Sequence, residues 1–177
     1  MKLVILDRDG VINYDSASYI KSPDEWKPIP GSLEAIAQLS QAGYHVVIAS
    51  NQSGIGRGLF EMATLNAIHD KMHHAIGQLG GRIDAVFFCP HAQDGGCNCR
   101  KPKPGLLEEI GRRFNVNLRG VPSIGDSLRD LEASAAVGAQ PILVLTGKGQ
   151  KTRQEDGLPP GTVIYPDLAE AVESIIK

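Results

Sequence analysis
Five short stretches of almost unbroken apolar residues recur along the chain: KLVILD (2–7), YHVVIAS (44–50), IDAVFFC (83–89), GVPSIGD (120–126) and QPILVLT (140–146). Strands that are apolar at consecutive positions, rather than at every second one, belong to parallel sheets covered on both faces. Between them lie SLEAIAQLSQAG (32–43), EMATLNAIHDKMHHAIGQLG (61–80), GLLEEIGRRF (105–114) and LRDLEASAAVG (128–138), with apolar residues three and four apart. Three of these four close on a glycine, the usual stop of a helix. TVIYP and DLAEAVESIIK add a sixth short strand and a closing helix. The alternation predicts an α/β fold, a Rossmann-like three-layer sandwich around a mostly parallel sheet, whose ligands collect beyond the carboxyl ends of the strands. Three connections exceed what linking requires, 10–31, 51–60 and 90–104.

Composition narrows the reading little. A length of 177 residues is that of one domain, 1–177, with one hydrophobic core. A formal charge of −2, with 42% apolar and 21% charged residues, lacks the basic excess of nucleic-acid binders, so no nucleic-acid partner is expected. No stretch reaches the roughly 20 apolar residues of a membrane span, and Met1 leads straight into a strand rather than an export signal. A cytoplasmic monomer with no membrane contact is the expectation.

The first apolar stretch ends abruptly in Asp7-Arg8-Asp9-Gly10. In an extended chain, residues two apart face the same side, so both carboxylates project together from the strand end. Such a pair persists where a cation sits between the charges or one carboxyl keeps its proton. An arbitrary Asp-x-Asp-Gly is more often a surface turn, and a calcium loop fits worse because Gly10 comes too early and no glutamate closes the loop. Other strand ends change the balance. The second closes in Ala49-Ser50-Asn51-Gln52, followed by Gly54-Ile55-Gly56-Arg57-Gly58; Arg100-Lys101-Pro102-Lys103-Pro104-Gly105 precedes a helix; the fourth strand runs into Asp126-Ser127-Leu128-Arg129-Asp130. Each alone reads as a helix cap or a solvated charge. Together, carboxylates, a hydroxyl, a lysine and a second acidic pair at successive strand ends make an active site.

Cysteines number three, at 89, 97 and 99, too few and too close for a disulfide framework. Cys89 and His91, then Cys97 and Cys99, form two pairs of ligands two residues apart around a glycine turn, a closed Cys₃His set suited to structural Zn²⁺ within a loop at 89–99. Reduced thiols beside an incidental histidine are the plainer alternative. With no ligand position open, such a metal would brace the loop that delivers Arg100 and Lys101 rather than catalyse. His69, His73 and His74 lie on a helix and read as surface or packing residues.

Over most of the chain these motifs resemble the haloacid dehalogenase (HAD) superfamily of phosphotransferases, with DRDG as first motif, Ser50 as second, Lys101 as third and GDSLRD as fourth. Val11 stands where the first motif often carries threonine. DRDGVIN, SNQSGIGRG, CPH, CNCRKPKPG and GDSLRD together are similar to the branch of histidinol-phosphate and heptose-bisphosphate phosphatases. SPDEWKPIPGSLEAI and SGIGRG look nearer its heptose-bisphosphate side. The resemblance implies Asp7 as nucleophile, forming an aspartyl-phosphate, and Asp9 as general acid then base, with a raised pKa. It further implies Mg²⁺ held by Asp7, the Asp9 carbonyl and Asp126, with Asp130 orienting. Ser50 and Lys101 would hold the phosphoryl oxygens. Arg100 would grip the substrate beyond the reacting phosphate; Arg57 and Lys103 are as readily solvated charges.

Many relatives carry a separate cap domain, for which this chain has no room. The loops must therefore recognise a small sugar phosphate themselves, through Asp15 to Tyr19, Ser50, Asn51, Gln52, Ser53, Ser127 and the cysteine segment, with Asp15 bonding sugar hydroxyls. Trp26 would cover the site or, more commonly for a tryptophan between prolines, anchor packing. Histidinol phosphate is the rival substrate, nucleic-acid ends a more distant one, and a non-catalytic phosphate-binding module the alternative outside enzymes.

Overall fold
The computed structural model describes residues 1–177. Six strands, β1 (Leu3–Leu6), β2 (His45–Asn51), β3 (Ala85–Cys89), β4 (Pro122–Gly125), β5 (Gln140–Val144) and β6 (Val163–Tyr165), form one sheet in the order β3-β2-β1-β4-β5-β6. Every pairing is parallel. The chain winds outward from β1 first through β2 and β3, then returns to β4 on the other side. The crevice at the carboxyl end of β1 is therefore the switch point of the sheet, where such folds bind ligands.

Period-two alternation within β1 explains why all four of its residues are apolar. Val4 and Leu6 enter the larger core with α1 (Ser32–Gln41), α3 (Met62–Gly77) and α7 (Leu168–Ile176), while Leu3 and Ile5 enter the smaller core with α4 (Gly105–Phe114) and α5 (Leu128–Ala136). Both faces of the central strand are thus covered, giving three layers as the unalternated pattern predicts. Asn115 ends α4 in the left-handed region (φ 50°), and Ser127 with Asp130 forms a reciprocal capping box at the start of α5.

Three pieces of structure were not foreseen, two of them inside segments read as loops. A three-ten turn at Pro23–Glu25 sits within 10–31, α2 (Ser53–Gly56) within 51–60, and α6 (Gly149–Arg153) follows β5. None repeats an apolar period long enough to be seen, so their helicity comes from tertiary context. Trp26, which follows the three-ten turn, is 1% exposed in the larger core, so it anchors packing rather than covering the site. Lys71 of α3 lies over its ring, 5.8 Å from the centroid, and donates to the Pro23 and Trp26 carbonyls at 2.7 and 3.0 Å. No helix is long and apolar enough to cross a membrane.

Trp26→Ala should cost about 3–5 kcal/mol, the usual range for emptying a buried aromatic site. Denaturant melts of the two proteins test it.

Candidate active site
The strand ends converge on a cavity of ≈ 230 Å³ lined by Asp7 and Asp9 after β1, Asn51 and Ser53 around the end of β2, Arg100 and Lys101 before α4, and Asp126, Ser127 and Asp130 after β4. Asp15 and Tyr19 of the first loop also line it. The sequence had placed all of these at the site. Ser50 and Gln52 sit behind the wall instead, buried, with Gln52 Nε2 donating to Ser50 Oγ at 2.7 Å. Arg57 is exposed, its guanidinium donating from Nε and Nη2 to Gln93 Oε1. Lys103 turns away to donate to the Cys97 carbonyl at 2.7 Å.

Lys101 organises the floor. Its ammonium lies 2.6 Å from Asp130 Oδ1 and 3.3 Å from Asp7 Oδ1, and donates to the Ala49 carbonyl at 2.7 Å. Asn51 fixes its backbone by a two-way pair, Lys101 N to Asn51 Oδ1 at 3.0 Å and Asn51 Nδ2 to the Lys101 carbonyl at 3.2 Å. Burial would discharge this lysine, yet Asp130 and then Asp7 hold it protonated well above the ordinary range. Asp130 is closer to the ammonium and is held low: burial opposes ionisation, but Lys101 outweighs it, helped by Ser127. Asp130 also accepts from the Asp126 and Ser127 amides at 3.1 Å, so it braces the loop rather than waiting for a ligand.

Asp7 is raised well above the carboxylate range, by burial first and then by Asp130, against which one shared lysine is insufficient. Asp126 is pushed up to about 7 by burial and then by Asp130. Carboxylate oxygens of Asp7, Asp126 and Asp130 lie within 4.8 Å of one another. Oxygen donors crowded in this way suit a hard divalent cation, which relieves the repulsion that raises the pKa values of Asp7 and Asp126. Space there is tightly shaped. A Cβ on Gly10, whose φ is +84°, would fall 1.9 Å from Asp126 Oδ2, and one on Gly147 would fall 2.2 Å from the same atom.

Asp9 departs from the expected raised pKa. Burial would raise it, but the Arg8 charge and hydrogen bond, then bonds from Asn13 and Gln52, hold it below the usual value. Arg8 Nε donates to Asp9 Oδ1 at 2.8 Å, and Asn13 Nδ2 to the same oxygen at 3.0 Å. Arg8, between the two aspartates and given no role from the sequence, is a wholly buried partner of the second. His69 is also buried, whereas His73 and His74 are exposed.

The cysteine loop is assembled without a gap. Cys89 Sγ lies 3.3 Å from His91 Nδ1, 3.5 Å from Cys97 Sγ and 2.7 Å from Cys99 Sγ, with Cys99 Sγ 3.3 Å from His91 Nδ1. Three sulfurs and one imidazole nitrogen within 4.8 Å of one another match in type the donors of a closed zinc site. Gly56 of α2 packs flush on the loop, where a Cβ would meet the Ala92 amide nitrogen at 2.6 Å.

Several cavity residues escaped the sequence reading: Gln93, Arg129 and Lys148. Lys148 donates its amide to Asp126 Oδ2 at 2.8 Å and places its ammonium 3.6 Å from Asp15 Oδ2. The fifth strand end was a place to look, since sites gather there, but GKGQK carries no distinctive chemistry. Tyr19 holds a left-handed φ of 68°, and its hydroxyl is kept below the ordinary phenol range by Gln93 and then Ser53. A tyrosine in that backbone region is strain of the kind found at binding sites.

Comparison with known proteins agrees with this geometry. The HAD-hydrolase-like family model matches residues 98–171 and the polynucleotide kinase 3 phosphatase model matches 2–127. A D-glycero-beta-D-manno-heptose-1,7-bisphosphate 7-phosphatase of Bordetella bronchiseptica is 59% identical over 100% of this chain and 99% of its own. One from Pseudomonas putida is 54% identical over 99% and 100%. The crystal structure of D,D-heptose 1,7-bisphosphate phosphatase from B. bronchiseptica, complexed with magnesium and phosphate, superposes with a TM-score of 0.99 at 60% identity, covering 99% of this chain and 98% of that one. The chain belongs to the HAD-like hydrolases. Within them it is matched end to end by the heptose-bisphosphate 7-phosphatases named above.

A carboxyl whose folded pKa is near 7, above an unfolded value of about 3.9, favours the fold when protonated and loses that contribution as pH rises between those values. Asp126→Asn should therefore melt higher than the parent at pH 8 in cation-free buffer, with a clearly smaller gain at pH 5. Paired thermal melts at the two pH values check it.

Proposed function
We infer that this protein is a magnesium-dependent phosphomonoesterase that removes the 7-phosphate of D-glycero-D-manno-heptose 1,7-bisphosphate. The observation that carries the substrate is the end-to-end match, above half identity, with phosphatases named for it. The observation that carries the chemistry is the cluster of Asp7, Asp126 and Asp130 beside a buried lysine. A single domain over 1–177 with a zinc-braced loop at 89–99, acting as a cytoplasmic monomer, completes the proposal.

Uncatalysed phosphate-monoester hydrolysis is so slow that accelerations reach about 10²¹, and charge repulsion is the obstacle. Asp7, at the carboxyl end of β1, attacks phosphorus and carries the phosphoryl group as an acyl phosphate. Bound by Asp7, the Asp9 carbonyl and Asp126, Mg²⁺ supplies the positive field that lets one anion approach another. Lys101 takes the phosphoryl oxygens as their charge redistributes. Asp9 gives its proton to the departing alkoxide and then takes one from the hydrolytic water. Arg8 leaves Asp9 ionised at rest, the form required for the second task. An arriving phosphate, negative beside it, raises its proton affinity for the first. Asp15, Tyr19, Asn51, Ser53, Arg100 and Ser127 face the cavity as substrate contacts.

The cysteine loop takes Zn²⁺ through Cys89, His91, Cys97 and Cys99, and through it fixes the approach of Arg100 and Lys101 to the cavity. The polynucleotide model match keeps nucleic-acid ends as a second substrate to try.

Asp7→Asn should abolish phosphate release while leaving the melting temperature within a few degrees of the parent; parental turnover would remove Asp7 as nucleophile. On a panel of heptose bisphosphate, histidinol phosphate and 3′-phosphorylated DNA, heptose bisphosphate should be hydrolysed with the highest kcat/KM, and a magnesium chelator should stop release from all three. Elemental analysis should find about one zinc per chain. A zinc-free preparation that stays folded and fully active would rule out bracing.

A further inference from the structure
We propose that His69 is a positioning residue of this active site: it receives a hydrogen bond from the buried Arg8 guanidinium and so holds the Asp9 carboxylate where it exchanges protons with the leaving group and water. The inference rests on Asp9 as acid and base.

Arg8 is fully buried and has only donors to offer. A guanidinium removed from water is tolerated only if its N–H groups find acceptors. Three acceptors surround it. Nε goes to Asp9 Oδ1 at 2.8 Å, Nη1 meets His69 Nε2 at 3.1 Å, and Nη2 reaches Gln52 Oε1 at 3.4 Å. Because arginine cannot accept, His69 Nε2 must, which fixes the neutral tautomer carrying its proton on Nδ1. Burial and then the Arg8 charge keep that ring neutral, with a pKa of about 4.

His69 also stands out on its own helix. The inner face of α3 is otherwise Leu65, Ile68, Met72 and Ile76, all buried in the sheet-facing core, so an apolar residue at 69 would continue the face. What histidine adds is the acceptor. Lys71, two residues on, ties α3 to the first loop through the Pro23 and Trp26 carbonyls and so fixes the rotation that aims residue 69 at Arg8. Without the acceptor, Arg8 Nη1 is unpaired in the interior and the grip of the guanidinium on Asp9 loosens, leaving that carboxylate to Asn13 Nδ2 at 3.0 Å on one oxygen and Gln52 Nε2 at 3.5 Å on the other.

The test compares His69→Leu, His69→Gln, Asp9→Asn and the parent on two substrates. Heptose bisphosphate loses an alkoxide that must be protonated; 4-nitrophenyl phosphate loses a phenolate that need not be. kcat/KM reports only steps up to loss of that group. For His69→Leu, kcat/KM on the sugar phosphate should fall about 10- to 100-fold, part of what a general acid supplies, with under about threefold loss on the aryl ester and little change in KM. His69→Gln, which keeps an acceptor at the same reach, should recover to within about fivefold of the parent. Equal losses on both substrates, no loss, or no rescue by glutamine would overturn the proposal. Should the leucine variant not fold, nitrogen-15 spectra of the parent decide: Nε2 unprotonated from pH 5 to 8 supports it, and a charged ring or a proton on Nε2 overturns it. Asp9→Asn separates the two levels. An inactive Asp9→Asn with a normal His69→Leu defeats only the inference, whereas an active Asp9→Asn defeats the acid–base reading beneath it.

Discussion
One buried ammonium governs the site. Lys101 stands between Asp130 and Asp7, and three carboxylates, Asp7, Asp126 and Asp130, crowd within 4.8 Å of one another. A single positive charge cannot neutralise them, and geometry decides how it is shared: Asp130, at 2.6 Å, is satisfied, while Asp7, at 3.3 Å, and Asp126 are left with proton affinities far above those of free carboxylates. The imbalance is what a divalent cation corrects. It also explains why Asp130 becomes a brace for the turn after β4, whereas Asp7 and Asp126 remain available to a ligand. Everything that places Lys101, from the Asn51 amide pair to the cysteine loop beside it, is therefore part of the catalytic apparatus.

A second electrostatic compartment lies on the other side of the motif. Arg8 and Asp9 form a pair of their own, Arg8 donating to Asp9 and meeting His69 of α3, while the Asp9 charge still adds to the rise at Asp7. Two aspartates one residue apart thus acquire opposite proton affinities, Asp7 raised and Asp9 lowered. The proposed roles call for the reverse, which a cation that lowers Asp7 and a bound phosphate that raises Asp9 would bring about.

Much of this was legible before any coordinates. The unalternated apolar stretches gave away the parallel sheet because burial on both faces leaves no polar position in β1, and residues at successive strand ends had to meet because parallel strands share a carboxyl edge. The Cys-x-His and Cys-x-Cys pairs were visible because ligand spacing is local. What stayed hidden depended on contacts distant in sequence. Lys148 belongs to the site through a backbone amide, which no side-chain motif records. Asp9 was expected to have a raised pKa because the acid role that the resemblance implies requires a proton, and Arg8 was not weighed; yet an arginine set between two carboxylates directly after a buried strand, with a histidine on the apolar face of a later helix, was the available clue. Ser50 and Gln52 were placed at the site by position, but both are buried and bonded to each other, outside the cavity lining.

The flush seat of Gly56 on the Ala92 amide joins two surface segments that the chain encodes far apart. Neither can be reshaped alone, since bulk added to one has nowhere to go but into the other. Grafting a foreign specificity onto this scaffold therefore calls for exchanging 51–60 and 89–105 as a matched set, and natural variants that wander in substrate preference should carry changes in both.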